Sequence, residues 1–565
     1  MIYRDKLTSI KNAFIMVVLL GAFSSCEDYL TEEPTAQFTA DFVYNTPEGL
    51  EAGVVALYNL QRAFFEDLSN NGSNCMILDA KDDLTIPRNA EIANIGRMIT
   101  GTTPENSGVY AHYWNTYYRI VERANALIQA AERIQGMDEA KRIQVLAEAK
   151  FFRAHSVFVL YRTFNNIYIT TEPTTFENAF NLVNEVTPPA EIYSLVNDDL
   201  SFSIANLPWT TTQTGRITQG AARHLKAEVA LWQQNWTEAK LQAEAVIDPT
   251  TVGGPAGVHA LVASTGLVFK GDQNHNEALW NLQWKVQVNG TPHKINFNLM
   301  PNYAELIPGS KYTVEQGGRG FGWLTLNNYL RDLLAQDPND TRIKGSYYIK
   351  DYVYNDAATL PPDKTLGEVI VHNEWTEFAP TAANRNFWFI RLNAGCKKYF
   401  PDDGVPTVDT QTKNIMMSRL AETFLFAAEA NLMLGNIGSS ADGPLDRTAL
   451  GQLNAVRKRA ATAPLETIDL QDILDEQARE LAFEGRRWYM LKRTGRLYDY
   501  IVDHAGYGKP GDLSLENSEH ANTPEDPYPY RNDARRGMKP HFVNWPIPIS
   551  IKNMLGPDYP QNDGY

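Results

Sequence analysis

Apolar residues recur at helical spacing over much of the chain. Between 139 and 164, Ala147, Phe151, Ala154, Phe158 and Tyr161 follow one another at intervals of four and three residues. This spacing places them on one face of a helix. The stretch from about 109 to 133 has the same period, and a short turn separates the two. The pattern therefore predicts a helical hairpin.

The same arrangement recurs further along the chain. We predict helices over 218–234 and 236–247, over 417–434 and 445–461, and over 468–484 running into 487–493. The helix over 417–434 is apolar on nearly every side, which is typical of a helix inside a layer of others. Such hairpins, with alternating small and large residues, resemble tetratricopeptide repeats, although their spacing is too irregular for a simple solenoid. The predicted fold class is mainly α, a tetratricopeptide-like helical hairpin scaffold.

The bounds of the other segments are predicted from helix-capping residues and from the loss of the helical period. Thr46, Pro47 and Glu48 combine a capping hydroxyl, a first-turn proline and an acid, and they begin a helix that we extend to about residue 67. Residues 251–415 lose the helical period and contain only short strand-like runs at 279–288 and 368–372. We predict an N-terminal helical part (46–250), a loop-rich insert (251–415), C-terminal helical hairpins (416–500) and an irregular C-terminal segment (501–565). Long irregular stretches in compact domains are usually functional.

The first residues have the pattern of an export signal. Arg4, Lys6 and Lys11 precede an apolar run over 13–23, and small residues lead to Cys26. That run is too short to span a bilayer, which needs roughly 20 residues. Because a cysteine follows the small residues directly, we predict a lipoprotein signal peptide (1–25), an acylated Cys26 and an extended tether (26–45). The alternatives are a plain cut near Ser25 and a merely buried cysteine.

Composition narrows the function classes. The 565-residue chain is 43% hydrophobic and carries a net charge of −16, so it can bury a large core but is a poor candidate for binding nucleic acid. Cys75 and Cys396 lie outside any zinc-ligand spacing, and we expect no metal and no cofactor. The two could form a disulfide or remain free, buried thiols. Residues 506–511 match G-x-G-x-x-G in letters only, because Pro510 disrupts a following helix.

Several separated stretches together span nearly the whole mature chain: 26–34, 147–154, 215–222, 419–422, 428–430, 453–460, 479–488, 491–495, 546–548 and 561–565. In this order along the chain, they resemble the SusD/RagB family of Bacteroidota outer-membrane lipoproteins. Gln477 departs from the family pattern, because the family often has arginine there, which puts one local ion pair in doubt.

The resemblance implies a fold and a role. The expected fold is the helical scaffold with a loop-rich irregular region. The expected role is that of a surface-exposed outer-membrane lipoprotein that binds a glycan or another nutrient and acts as a lid on a SusC-like TonB-dependent transporter. The charged motif residues are expected to pair with one another between packed helices rather than to catalyse, because buried charges need partners. They are Glu422, Glu429, Glu480, Glu484, Arg457, Arg459, Arg486 and Arg487.

The resemblance also indicates where a ligand would bind. Family ligand contacts come from the loops after the first helix and from the insert, which match 79–103 and about 284–325 here. Sugar binding needs flat aromatic faces with hydrogen-bonding groups at the rim. Trp375, Phe387 and Trp388 are further candidates for ligand contact. Trp323 is expected to be structural because glycines flank it. The predicted ligand residues are Asp82, Asp83, Arg88, Asn89, Trp284, Tyr303, Tyr312, Phe321 and Trp323.

Three function hypotheses follow. The first is a non-catalytic, surface nutrient-binding lipoprotein, with a glycan as the leading ligand and a peptide as the alternative. The second is a surface protein-interaction scaffold that uses the helical hairpins alone. The third is a glycoside hydrolase, which would need two carboxylates facing each other across one cleft.

Overall fold

The structure is a computed structural model that describes residues 43–68, 72, 74–87, 108–175, 178, 181, 183–284, 292–305, 307–370, 392–506 and 537–565. Helices dominate these residues, which confirms the predicted fold class. The α-helices are α1 (Pro47–Glu66), α2 (Ile77–Ala80), α3 (Gly108–Arg133), α4 (Glu139–Phe164), α5 (Pro189–Asn206), α6 (Gln219–Trp232), α7 (Trp236–Ile247), α8 (Thr265–Val268), α9 (Ile295–Leu299), α10 (Asn328–Ala335), α11 (Leu420–Met433), α12 (Ala449–Arg459), α13 (Leu470–Leu481), α14 (Arg487–Arg493), α15 (Leu497–His504) and α16 (Ile549–Leu555).

Consecutive helices pack into layers. α3 packs on α4 and α4 on α5, α6 packs on α7, and α7 packs on α11, which in turn contacts α12. α11 is buried from Leu420 to Asn431, as its all-round apolar pattern predicts. α1 packs against α3 and α4. Its start is capped as predicted, because the Thr46 hydroxyl accepts a hydrogen bond from the Gly49 N–H at 3.0 Å.

The described strands are short and form three antiparallel pairs. β1 (Thr85–Pro87) pairs with β3 (Leu324–Leu326), β2 (Ala278–Leu282) with β6 (Ile415–Arg419), and β4 (Tyr348–Ile349) with β5 (Gly395–Cys396). The β2–β6 pair joins Ala278 to Arg419, so it closes the loop-rich region at its base. The main hydrophobic core lies between the helices, and the loop-rich region adds a small core of its own: Met300, Tyr303, Ile307, Ile349, Tyr352, Ile370 and Leu392.

Three expectations need correction. Helix α5 was not predicted, although Ile192, Val196 and Leu200 form a buried stripe at a spacing of four residues. The predicted helix start at 417 is wrong, because 415–419 are held extended by pairing with β2 and α11 begins at Leu420. The run at 368–372 contributes only an isolated bridge between Val369 and Val353 among its described residues.

Cys75 and Cys396 are free thiols, which resolves the alternative left open by the sequence.

Candidate ligand-binding surface

The charges of the C-terminal motifs form a buried ionic network. The Glu480 carboxylate accepts hydrogen bonds from Arg419 at 2.6 Å, from Arg342 at 3.2 Å and from Arg459. Arg419 also pairs with Glu484 at 2.8 Å. Burial by itself would raise the pKa of Glu480, but the three guanidinium groups hold it well below its usual range. These contacts confirm that the residues are structural.

The other motif charges are paired as well. The Glu422 carboxylate shows the balance clearly, because burial favours its neutral form while Arg486 and His224 bring its pKa to about 2. Gln477, at the position where the family often has arginine, accepts a hydrogen bond from Arg487 Nη1 at 3.3 Å. The remaining pairs are Glu422–Arg486, Glu422–His224, Glu429–Arg493, Arg457–Glu476, Arg459–Glu277 and Arg487–Asp83.

Two of the predicted ligand residues lie in the core. Asp83 is fully buried and pairs with Arg487 through both carboxylate oxygens, at 2.7 and 2.8 Å. Asp82 Oδ1 accepts the Leu84 N–H at 2.8 Å, and burial, with the nearby acids, raises the pKa of Asp82 well above its usual range. Their positions argue against a ligand contact, because neither side chain reaches the surface. Arg88 and Asn89 lie outside the described residues, as do Cys26, Trp375, Phe387 and Trp388.

Three of the predicted aromatic residues are also buried. The exposed fractions of Trp284, Tyr303 and Trp323 are 7%, 0% and 4%. The Tyr303 ring stacks on Tyr352 with centroids 4.6 Å apart, and both rings belong to the small core. The Trp284 ring meets the edge of Phe65. These positions argue against the prediction that the three side chains contact a ligand and support the structural interpretation of Trp323.

Tyr312 keeps an exposed part and anchors a first aromatic surface. Its ring packs edge-to-face on Tyr303 at 5.2 Å, and its hydroxyl donates to the Asn302 carboxamide oxygen. Tyr354, also partly exposed, packs on the same small core. The Asn355 carboxamide beside it accepts the Lys311 N–H at 2.8 Å. We call Lys311, Tyr312, Tyr354 and Asn355 the tyrosine patch.

Phe321 anchors a second aromatic surface. Its ring is partly exposed and stacks on Phe297, with centroids 5.5 Å apart and an interplanar angle of 15°. The Arg319 guanidinium lies 5.8 Å from the Phe297 centroid and pairs with Asp409 at 2.7 Å. We call Phe297, Arg319, Phe321 and Asp409 the phenylalanine patch.

Both patches combine a partly exposed ring with hydrogen-bonding groups at its edge. This combination suits a ligand that presents apolar C–H faces and polar groups together. Of these patch residues, Tyr312 and Phe321 are among the ligand residues predicted from the sequence, whereas Phe297, Arg319, Tyr354 and Asn355 are not. The four residues that were not predicted lie in the loop-rich region, where the sequence has no period that separates surface positions from core positions. Their place at the surface depends on tertiary contacts.

The described residues contain neither a candidate metal site nor a candidate membrane-spanning helix. Within the described ranges, no group of three or more His, Cys, Asp or Glu side chains is arranged to hold a metal ion. None of the helices in that part of the chain is long and apolar enough to cross a membrane.

Comparisons with known proteins match nearly the whole chain. The profile of the "SusD family" matches residues 276–565, and the profile described as "Starch-binding associating with outer membrane" matches residues 28–231. SusD-like protein P25 of Formosa agariphila is 22% identical over 513 residues, which cover 87% of this chain and 92% of that protein. A SusD-like protein of Bacteroides ovatus is 25% identical over 487 residues, covering 83% of this chain and 79% of the relative.

Solved structures share the fold. A laminarin-binding SusD-like protein superposes with a TM-score of 0.63 at 21% identity, covering 92% of this chain and 100% of the other. Surface glycan-binding protein A from Bacteroides fluxus gives a TM-score of 0.66 at 19% identity, with 92% and 100% coverage.

Proposed function

Because this chain belongs to the SusD family, we propose that it is a non-catalytic glycan-binding lipoprotein on the surface of the outer membrane. It captures an oligosaccharide or polysaccharide and delivers it to a SusC-like TonB-dependent transporter. The observation that carries the proposal is the pair of aromatic patches in the loop-rich region of a chain with this family's fold. The names of the relatives point the same way, since they include a starch-binding SusD of Bacteroides thetaiotaomicron and the laminarin-binding protein.

The chemistry of the patches suits a protein that must bind a glycan and also release it. A sugar ring lays its C–H face on an aromatic ring, and amide and charged groups at the rim bond its hydroxyls. Each aromatic contact contributes about 0.5–1.5 kcal/mol beyond the area it buries. A few such contacts and hydrogen bonds give dissociation constants of roughly µM to mM. Among the predicted ligand residues that the structure describes, Tyr312 and Phe321 retain exposure, so we place the ligand contacts there.

The acids of the motifs support a role without catalysis. A glycosidase needs one carboxyl whose pKa is raised so that it can act as an acid beside an ionised partner. Glu480 and Glu484 instead have lowered pKa values and contact arginine and lysine in the core. Incubation of the purified protein with polysaccharides, followed by analysis of the reducing ends, should reveal no new chain ends.

Affinity electrophoresis tests the binding. The native chain is expected to be retarded in a gel that contains one of a panel of neutral polysaccharides, including soluble starch and laminarin. The double variant Tyr312→Ala/Phe321→Ala should lose most of this retardation. Tyr498→Ala is the matched control, because Tyr498 is 38% exposed on helix α15, outside both patches.

The outcomes separate the alternatives. Failure of every polysaccharide to retard the native chain would contradict the proposal, and capture of peptides instead would favour a peptide-binding relative. Normal retardation of the double variant would show that the patches are the wrong site. Cys26→Ser tests the anchor, since without acyl chains the protein is expected to leave the membrane fraction. Recovery of a TonB-dependent transporter with the native chain in mild detergent tests the partner.

A further inference from the structure

We propose that a second polysaccharide contact lies on the outer face of helix α1, away from both aromatic patches; this inference rests on the proposed function. An open groove of about 920 Å³ lies there. It runs between α1, the turn at 213–216 and the end of strand β2. Ala52, Val55, Ala56 and Asn59 form its helical wall, and all four are exposed.

The groove wall presents little net charge, because its arginines are paired. Arg62 forms an ion pair with Glu66 at 3.0 Å. Arg216 donates to Glu148 at 2.9 Å and to Glu51 at 3.1 Å. A charged ligand would therefore find no free counter-charge among these groups, and the groove suits a neutral one.

Carboxamides supply the hydrogen-bonding groups of the groove. Asn59, Gln213 and Asn281 line it, beside Gln283, whose own carboxamide is already hydrogen-bonded within the wall. A carboxamide donates and accepts hydrogen bonds without carrying charge, as a sugar hydroxyl does. The exposed Val55 and its two alanine neighbours offer an apolar strip on the same wall, which can take the C–H face of a sugar. This mixture favours a neutral, hydroxyl-rich chain.

The far wall is fixed in place by its own contacts. The Gln283 amide oxygen accepts hydrogen bonds from Asn274 and Asn414, both at 3.1 Å. Gly215 has a φ of +88°, and a Cβ there would lie 2.7 Å from Gln283 Cγ, so the turn can approach only because it carries glycine. A rigid wall loses less conformational entropy on binding than a flexible one.

Asn281, which lines the groove, has a buried acceptor with no hydrogen-bond partner in the described part of the chain. Asn281 is 6% exposed and uses its Nδ2 to donate to Asn274 Oδ1 at 2.9 Å. Its Oδ1 is buried and makes no hydrogen bond to the described residues. Buried polar atoms are normally satisfied, and an unpaired one calls for a water or a ligand. A ligand hydroxyl that donates a hydrogen bond to this oxygen would supply the missing partner.

Filling the groove tests the inference. Ala56→Trp places a large ring on an exposed helix position in the groove, where the fold does not depend on the side chain. Leu241→Trp is the matched control, since Leu241 is 49% exposed on helix α7, outside the groove. The probe is the polysaccharide that retards the native chain, together with a short oligosaccharide prepared from it. We expect Ala56→Trp to weaken binding of the polysaccharide at least threefold and to leave the short oligosaccharide within twofold, with Leu241→Trp unchanged.

The result separates this inference from the proposed function. If Tyr312→Ala/Phe321→Ala loses binding while Ala56→Trp binds the polysaccharide normally, the proposed function holds and the groove contact is wrong. Hydrogen exchange gives an independent readout. Added polysaccharide should slow exchange of backbone amides at 213–217 in the native chain, and unchanged exchange there would also contradict the inference. Protection of 213–217 by a peptide digest but not by polysaccharide would overturn it in favour of a peptide groove.

Discussion

The helical scaffold and the loop-rich region are stabilised by different interactions. In the scaffold, arginines and carboxylates are buried together, as around Glu480, where Arg419, Arg459 and also Arg342 from the loop-rich region surround one carboxylate. The small core of the loop-rich region is apolar and aromatic, with Tyr303 stacked on Tyr352. Partly exposed aromatic residues occur beside the second core. The most specific sequence motifs therefore lie in the interior of the scaffold, whereas the candidate ligand surface lies where the sequence is least regular.

The largest effect is expected when the ionic network loses its central carboxylate. Glu480→Ala removes the carboxylate that contacts Arg342, Arg419 and Arg459 together, and it leaves these three buried charges with one acid fewer than before. Removing one member of a buried pair typically costs about 3–5 kcal/mol, because it leaves an uncompensated charge. We expect the free energy of unfolding, from urea denaturation followed by circular dichroism, to fall by about that amount.

An exposed ion pair provides the control for this variant. Glu139 pairs with Arg142 at 2.7 Å, but its side chain is 66% exposed. Such pairs are screened by solvent. Glu139→Ala is therefore expected to leave the denaturation midpoint unchanged. If Glu480→Ala behaved like this control, the network would not be a principal source of stability.

The second effect tests whether the small core unfolds independently. Tyr303→Ala removes a fully buried ring that stacks on Tyr352, and such truncations typically cost about 3–5 kcal/mol. We expect hydrogen exchange to become faster over 300–370 while helices α3 and α4 keep their protection. Tyr303→Phe is the control, because it keeps the ring and loses only the hydroxyl that accepts the Thr313 N–H at 3.0 Å. Equal loss of protection in the helices would show that the two regions form one cooperative unit.

These two regions also differ in how far the sequence predicts them. Helices α4 and α14 have the predicted bounds, because their apolar periods and turn signals are local. The helix start at 417 was wrong because strand pairing with distant residues 278–282 overrode the apolar pattern. The burial of Asp83 depends on Arg487, which is 404 positions away, so no local pattern could show it. The aromatic patches depend in the same way on contacts between loops.

The third effect concerns a buried acid between the two regions. Asp79 Oδ1 accepts the Gly485 N–H at 2.9 Å, and Lys398, Glu484 and Arg486 are the charged groups that act on it. Burial raises its pKa from 3.8 to about 7. In this window the folded protein retains a proton that the unfolded chain has released, so stability falls as the pH rises from about 4 to about 7. Asp79→Asn has no such proton to lose.

Urea denaturation at two pH values measures this contribution. Relative to the native chain, Asp79→Asn should be more stable at pH 8 than at pH 5 by about 2 kcal/mol, because each pH unit in the window contributes up to about 1.4 kcal/mol. Asp363→Asn is the control, since the Asp363 side chain is 75% exposed. The same pH dependence in Asp79→Asn and in the native chain would contradict the assignment of the proton to Asp79.

The smallest effect is expected at the start of α1, where the sequence alone predicted the contact. The Thr46 hydroxyl accepts the Gly49 N–H at 3.0 Å, and Thr46→Ala leaves that N–H without its cap. Loss of a capping side chain costs about 1 kcal/mol. Thr46→Asn should restore most of the stability, since asparagine caps as well as threonine, whereas a purely steric role for Thr46 would not be rescued. Because α1 packs on α3 and α4, we expect the loss in the global free energy of unfolding. If hydrogen exchange instead shows faster opening of only the first turn of α1, the end of the helix frays independently and the scaffold is less cooperative there than its packing indicates.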